Sequence, residues 1–455
     1  MIFSSLLFLF WFIPVFFIIY YLVPKDFKNP VLFAGSIIFY GWGEPRYLIL
    51  IFLSILVNYL AGILMERSRG KVRTLVLALC IIFDLSMLLF FKYVNFFIDN
   101  INALTHLSIS PIAVTLPLGI SFYTFQIMSY VIDVYKDRVK TQHSFLKLGT
   151  YLVMFPQLIA GPIVVYSKVS DALESRRITM DKLEEGVSVF LIGLSSKVII
   201  ANSAGRLWDE LVSIGYDHIS MPLAWLGAIA YTLQIYFDFN GYSLMAIGLG
   251  KLLGFEFPIN FDLPYISRSI TEFYRRWHMT LSAWFREYVY FPLGGSRKGK
   301  LRGFVNLFIV WALTGFWHGA SWNFVLWGLY LFAFISLERL FLKDFLERHV
   351  IFSHIYAMAV VMISWVIFAI TDMGSLGLYL KRMFSFDGGT DIVYYFSNYG
   401  LVLILGIVLS TGLIKKIYEK IEAKWAKFAI NAVLLLLCVS YLADAGYNPF
   451  LYFRF

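Results

Sequence analysis

Apolar runs close to the length of a bilayer crossing, about 20 residues, recur along the whole chain and are separated by short polar links. Residues 1–23 are continuously apolar, with no basic leading region and no small-residue cleavage pattern, so a retained first span is expected there. A link at Pro24–Pro30 carries Lys25 and Lys28. Residues 31–43 and 46–65 then predict two spans, broken at Gly43-Glu44-Pro45. Residues 74–98 follow a basic loop, Glu66–Arg73, and residues 113–134 lead into a second one, Lys136–Lys147, while Asp99–Pro111 is nearly free of Lys and Arg. That alternation places the basic loops in the cytoplasm and the first residue outside. The run 148–165 is apolar but interrupted by Pro156, Gly161 and Pro162, and charged sequence resumes at Ser167–Gly186. Two readings are open. The run dips in and returns, which requires protein or a water cavity to satisfy its freed backbone groups, or it is a kinked ordinary span.

Further spans are expected at 187–203, 222–250, 304–317, 322–342, 352–371, 399–414 and 428–443. The pattern predicts an all-α polytopic membrane protein with about eleven to twelve crossings plus re-entrant or interfacial helices, as a single domain over 1–455. No internal repeat is evident; an inverted repeat would have favoured a transporter. Composition agrees. The 455 residues are 60% hydrophobic, 19% aromatic and 15% charged, where soluble domains carry about 25% charged residues. The net charge of +9 sits in short loops, where it sets orientation rather than marking a nucleic-acid binder. Cys80 and Cys438 lie inside apolar runs and belong to no metal or redox motif.

One polar island, about 267–327, interrupts this pattern. The segment Lys251–Gly303 holds nine Lys or Arg against four Asp or Glu. Ser269-x-x-Glu272 has the form of a capping box, so a helix should begin there and run to about Tyr290. At helical spacing Tyr274, Trp277, Leu281, Trp284 and Tyr288 form an aromatic stripe, and Thr271, Arg275, His278, Ser282 and Arg286 form a second, largely polar and cationic one. This face fits either an interfacial helix at lipid headgroups or a cationic surface for an anionic acyl donor. His318 lies between two apolar runs, in Trp317-His318-Gly319-Ala320-Ser321-Trp322. An ionisable group within membrane depth is costly, and an imidazole takes up a proton near neutral pH, as a general base must. A hydrogen-bonded structural histidine is the alternative. Gly319 would permit close approach of a substrate or a neighbouring backbone. Asp238, in a span, is expected to pair with an arginine or to line a polar tunnel. The histidines belong to no H-E-x-x-H or C-x-x-C arrangement, so no metal site is expected. His106, His143, His218, His349 and His354 lie in loops or at span ends.

The motifs resemble those of the membrane-bound O-acyltransferase family, in its bacterial branch of polysaccharide O-acetyltransferases. The resemblance covers nearly the whole chain. It rests on Met1-Ile2-Phe3-Ser4-Ser5, Pro117-Leu118-Gly119-Ile120-Ser121-Phe122-Tyr123, Phe155-Pro156-Gln157-Leu158-Ile159-Ala160-Gly161-Pro162 and Tyr236-Phe237-Asp238-Phe239, and above all on Phe273-Tyr274-Arg275-Arg276-Trp277-His278 and Trp317-His318-Gly319. It implies a ring of tilted membrane helices around a thinned centre. It implies that His318 is catalytic and His278 is the second signature position; Arg275, Arg276, Trp277, Arg286, Trp317 and Asp238 are the candidates for donor binding or for lining a tunnel. It further implies acetyl-coenzyme A as the donor substrate, no permanently bound cofactor, and a bacterial cytoplasmic-membrane location. The acceptor would be a polysaccharide or cell-wall polymer, reached directly or through an extracytoplasmic SGNH-hydrolase-like acetyltransferase. The Trp-His-Gly-x-x-Trp form favours acetyl transfer over the related teichoic-acid D-alanylation proteins. Leu244, where alginate-type members commonly carry an Asp after Gly-Tyr-Ser, points the other way, so the acceptor stays open. A non-catalytic acyl transporter is the rival from another class.

The basic excess of Lys251–Arg302 predicts a cytoplasmic position for this segment. A Ser296→Cys protein should therefore be labelled by a membrane-impermeant maleimide only when the cytoplasmic face is opened. Labelling from the outer face of intact cells would invert the topology.

Overall fold

The computed structural model describes residues 1–444, 447–449 and 451, and among them the regular structure is entirely helical. Among the described residues, seven helices are long and apolar enough to cross a membrane: Pro45–Arg67, Gly70–Thr105, Met180–Ile214, Trp322–Arg348, Val350–Ala369, Asp391–Ser410 and Lys424–Asp444. Phe8–Leu22 is a shorter apolar helix. The expected eleven to twelve crossings also counted the runs seen here as Lys28–Gly41, Ile120–Tyr135, Met221–Leu253 and Lys300–His318, which are shorter or more polar. Leu401, Phe428 and Leu436 stand exposed on the last two long helices, a surface that lipid suits and water does not.

The chain packs as two compact units interleaved in sequence. One comprises Met1–Phe190 with Ser243–Pro258, the other Leu191–Tyr242 with everything from Ile259 onward.

In the first unit, Ile120–Tyr135 is the central helix, buried along almost its whole length. It begins later than the expected span at 113, because Gly119 turns the chain at φ 73°. A Cβ at Gly119 would lie 2.4 Å from the Leu158 carbonyl oxygen, so only glycine fits. Two of the sequence motifs therefore meet at this contact. The interrupted run 148–165 is a helix, Phe145–Val153, a single turn, Phe155–Leu158, and then buried non-helical backbone. Side chains take up freed backbone groups, as membrane depth requires. Phe155 N–H donates to Ser36 Oγ at 3.1 Å, and Tyr151 O–H donates to the Val164 carbonyl at 2.9 Å.

In the second unit, the helical run through Lys197 crosses Met221–Leu253 at a glycine contact. A Cβ on Gly241 would meet the Gly193 carbonyl oxygen at 2.7 Å and Lys197 N at 3.1 Å. The two backbones therefore touch one turn from Lys197 and Asp238. A second glycine contact closes the hairpin of Lys300–His318 and Trp322–Leu337. A Cβ on Gly315 would lie 2.4 Å from the Phe324 carbonyl oxygen, and one on Gly328 would lie 2.5 Å from that of Trp311. Small residues at such crossings let membrane helices pack backbone to backbone.

Gly328→Val must push this hairpin apart, and overpacking of this kind costs about 1–3 kcal/mol. In detergent its unfolding midpoint should fall by several degrees. Gly377→Ala, in the helix Met373–Met383, meets nothing within 4 Å and should leave the midpoint unchanged or slightly raised. Equal midpoints for Gly328→Val and the unaltered protein would disprove the contact.

Candidate active site

The helix expected from Ser269 to Tyr290 is broken in the structure. The Ser269 cap forms: Ser269 Oγ accepts from Glu272 N–H at 2.9 Å, while Glu272 Oε2 accepts from the N–H of Arg268, one residue before the cap, at 2.9 Å. The helix then stops after seven residues, Ile270–Arg276. His278 takes a left-handed backbone conformation, φ 42°, and a second short helix, Met279–Phe285, starts after it. The cause is a distant strip of chain. Asn260 O accepts from Met279 N–H, and Arg276 O accepts from Asp262 N–H, each at 2.9 Å. These bonds replace intrahelical ones and swing His278 out of the expected stripe.

Asn260 also fixes the His278 ring. Its Oδ1 lies 3.0 Å from His278 Nδ1, 2.9 Å from Thr280 Oγ1 and 3.4 Å from Thr280 N. A backbone N–H can only donate, so the amide atom it faces is the oxygen. His278 Nδ1 is then the donor, and the ring keeps its lone pair on Nε2. His278 is 3% exposed, and burial holds its pKa down to about 3. The ring therefore stays neutral through the physiological range.

His318 ends the helix Lys300–His318. Its half-buried ring stands edge-to-face against Trp317 and Trp327, each 5.0 Å away, and Phe368, 5.1 Å away. His278 packs 4.7 Å from Phe239 and 6.1 Å from Trp317, so the Trp317 indole has one histidine near each side of the hairpin's end. His318 opens on a cavity of about 20 Å³, room for one water, shared with Asp238, Phe239, Trp277, Trp365 and Leu451. Gly319 gives room to the Phe324 ring, with which a Cβ there would collide at 2.1 Å.

Asp238 is paired, but with Lys197 rather than an arginine, at 2.6 Å with both side chains almost fully buried. Lys197 Nζ also donates to Asn202 Oδ1 at 2.9 Å and to the Pro449 carbonyl oxygen. Asp238 Oδ2 accepts from Leu451 N–H at 3.0 Å. The pair thus anchors a late segment of the chain at the cavity. Removing one partner of such a pair strands a buried charge.

The structure brings His318, Trp277 and Asp238 to one cavity, with Trp317 and His278 behind it. It does not bring the arginines there. Arg275 and Arg286 are exposed, and Arg276 is tied to Glu272 at 3.0 Å and to Asp262 at 3.2 Å. Lys197 and Asn260 escaped the sequence reading. Lys197 had a signal, a lysine inside the apolar run 187–203, where an ionisable group needs a partner. Asn260 had none, being one polar residue in a loop.

The sequence model of the membrane-bound O-acyltransferase family matches residues 74–380. The probable alginate O-acetylase AlgI of Pseudomonas putida is 36% identical over the full length of both chains. The peptidoglycan O-acetyltransferase of Helicobacter pylori is 30% identical over all of this chain and 98% of its own. The teichoic acid D-alanyltransferase of Streptococcus thermophilus is 29% identical over 47% of this chain and 54% of its own.

Asn260 holds the proton of the neutral His278 ring on Nδ1, and burial keeps its titration far below its ordinary range. In ¹⁵N-histidine spectra it should remain neutral, with the proton on Nδ1, at every pH above about 5. Asn260→Asp sets a carboxylate beside Nδ1, which favours the protonated ring and raises its pKa, so an imidazolium signal should appear on acidification toward pH about 5. An unaltered protein whose His278 titrates near 6.5 would contradict this account.

Proposed function

The chain belongs to the membrane-bound O-acyltransferase family and is a multi-pass membrane O-acetyltransferase, and we propose that it moves an acetyl group from a cytoplasmic thioester donor, acetyl-coenzyme A, to a hydroxyl of an extracytoplasmic polysaccharide or of a partner acetyltransferase that passes the group on. The bacterial cytoplasmic membrane is the location we propose, supported by the seven apolar helices among the described residues and by the bacterial origin of the full-length relatives. The observation that carries the reading is the position of His318, an imidazole edged by three aromatic rings on a small cavity.

His318 acts as general base. It takes the proton of the acceptor hydroxyl as that oxygen attacks the thioester carbonyl. Collapse of the tetrahedral adduct breaks the carbon–sulfur bond, and the departing thiolate takes the proton from the imidazolium. Both products leave with atoms and charge balanced, and His318 returns to its neutral form. His278, with Nδ1–H held by Asn260 and a basic Nε2, positions the reacting groups or relays a proton. The aromatic walls keep bulk water from the thioester, which favours transfer over hydrolysis. A second reading, D-alanyl transfer to teichoic acid, has Leu244 in its favour. The end-to-end match with acetylases and the half-length match with D-alanyltransferases support acetyl transfer.

His318→Ala should abolish acetylation, since a positioned general base contributes about 10²–10⁴-fold. His278→Ala should be severe but less absolute, a loss of about 10²-fold at most from misplaced groups. Both are read from the acetyl content of the surface polymer by NMR, at membrane levels equal to the unaltered protein. Most of the activity surviving in His318→Ala at normal abundance would remove the base assignment.

A further inference from the structure

The short helix that leads to His278 is held by a carboxylate that its own sequence does not supply. Glu338, 4% exposed, begins the π-helical turn Glu338–Leu342 that continues Trp322–Leu337. Its Oε1 accepts from Ile270 N–H at 2.5 Å, and its Oε2 accepts from Thr271 N–H at 2.9 Å and Thr271 Oγ1–H at 2.7 Å. A helix start leaves its first N–H groups without intrahelical partners. Here Glu338 takes the first two and Ser269 takes the third, while Phe273 N–H makes the first ladder bond to Ser269 O at 2.9 Å. Every donor of the first turn is accounted for.

A seven-residue helix does not hold itself. What fixes Ile270–Arg276 is the anchor at its start and the Asn260–Asp262 strip at its end. Glu338 lies on the helix that follows His318 after only three intervening residues, and the anchored helix runs straight into Trp277 and His278. A neutral Ser or Thr cap would satisfy those N–H groups at less desolvation cost than a buried carboxylate in an apolar span. The charge and the two-pronged grip add orientation, since a bidentate carboxylate fixes direction as well as distance. Glu338 opens a π-turn, a feature that recurs at functional sites.

We propose that Glu338 is a positioning residue, which sets where His278 stands relative to His318 by holding the start of Ile270–Arg276. This rests on the roles given above to the two histidines. The test is a double-mutant cycle with Glu338→Gln and His278→Ala, in membranes matched for protein level, with rate and donor KM measured separately. Gln keeps the shape but turns an NH₂ toward one of the two N–H donors. Alone, Glu338→Gln should lower kcat by about tenfold or more with the donor KM within about twofold. In the His278→Ala background it should cost less than about twofold, because the ring it positions is gone. The same loss in both backgrounds would overturn the proposal and make Glu338 a purely structural cap. A His278→Ala protein at full activity would instead overturn the role of His278 itself, and the link with it. Should Glu338→Gln fail to accumulate, Thr271→Val removes only the hydroxyl donor and must show the same non-additivity at smaller amplitude.

Discussion

Asp238 and Lys197 stand 2.6 Å apart where neither charge reaches water. In such a place a lone carboxylate or ammonium would be costly to keep, and each is tolerated because the other is there. The requirement propagates. The helices must touch at Gly193 and Gly241 for the side chains to meet. The remaining acceptor and donor capacity must be filled, and it is filled by Asn202, by the Pro449 carbonyl and by the Leu451 amide. Leu451 is thereby held at the cavity beside His318. Glu338 obeys the same rule at the start of Ile270–Arg276. Buried charge, matched donor by donor, fixes the parts of the site that apolar packing leaves free to slide.

Much of the scaffold was legible because hydropathy acts locally. Apolar runs became helices close to where their ends were expected, and the Ser269–Glu272 box capped a real helix. The break at His278 was not legible. A stripe drawn at helical spacing assumes the helix continues, and what ends it is Asn260, eighteen residues earlier in sequence. Tertiary bonds override a local preference whenever they satisfy the same backbone groups at lower cost. The partner of Asp238 lay forty-one residues away and was a lysine. The expectation of an arginine partner could not anticipate this, because what pairs Asp238 is the helix crossing at Gly193 and Gly241 and not its neighbours in sequence.

The same distinction separates the two histidines, which look alike in sequence, each following a tryptophan. His278 is ordered by polar chemistry: Asn260 Oδ1 selects its tautomer and burial keeps it neutral. His318 is ordered by shape, with Trp317, Trp327 and Phe368 edged around its ring. Aromatic edges restrict an imidazole's orientation while the ring stays half-buried at the cavity. A ring locked through Nδ1 to an amide offers only one nitrogen, in one direction. The first arrangement suits a group that meets a substrate, and the second suits a group that defines a position. That difference in surroundings, rather than the residue type, is what supports proposing His318 as the base and His278 in a supporting role.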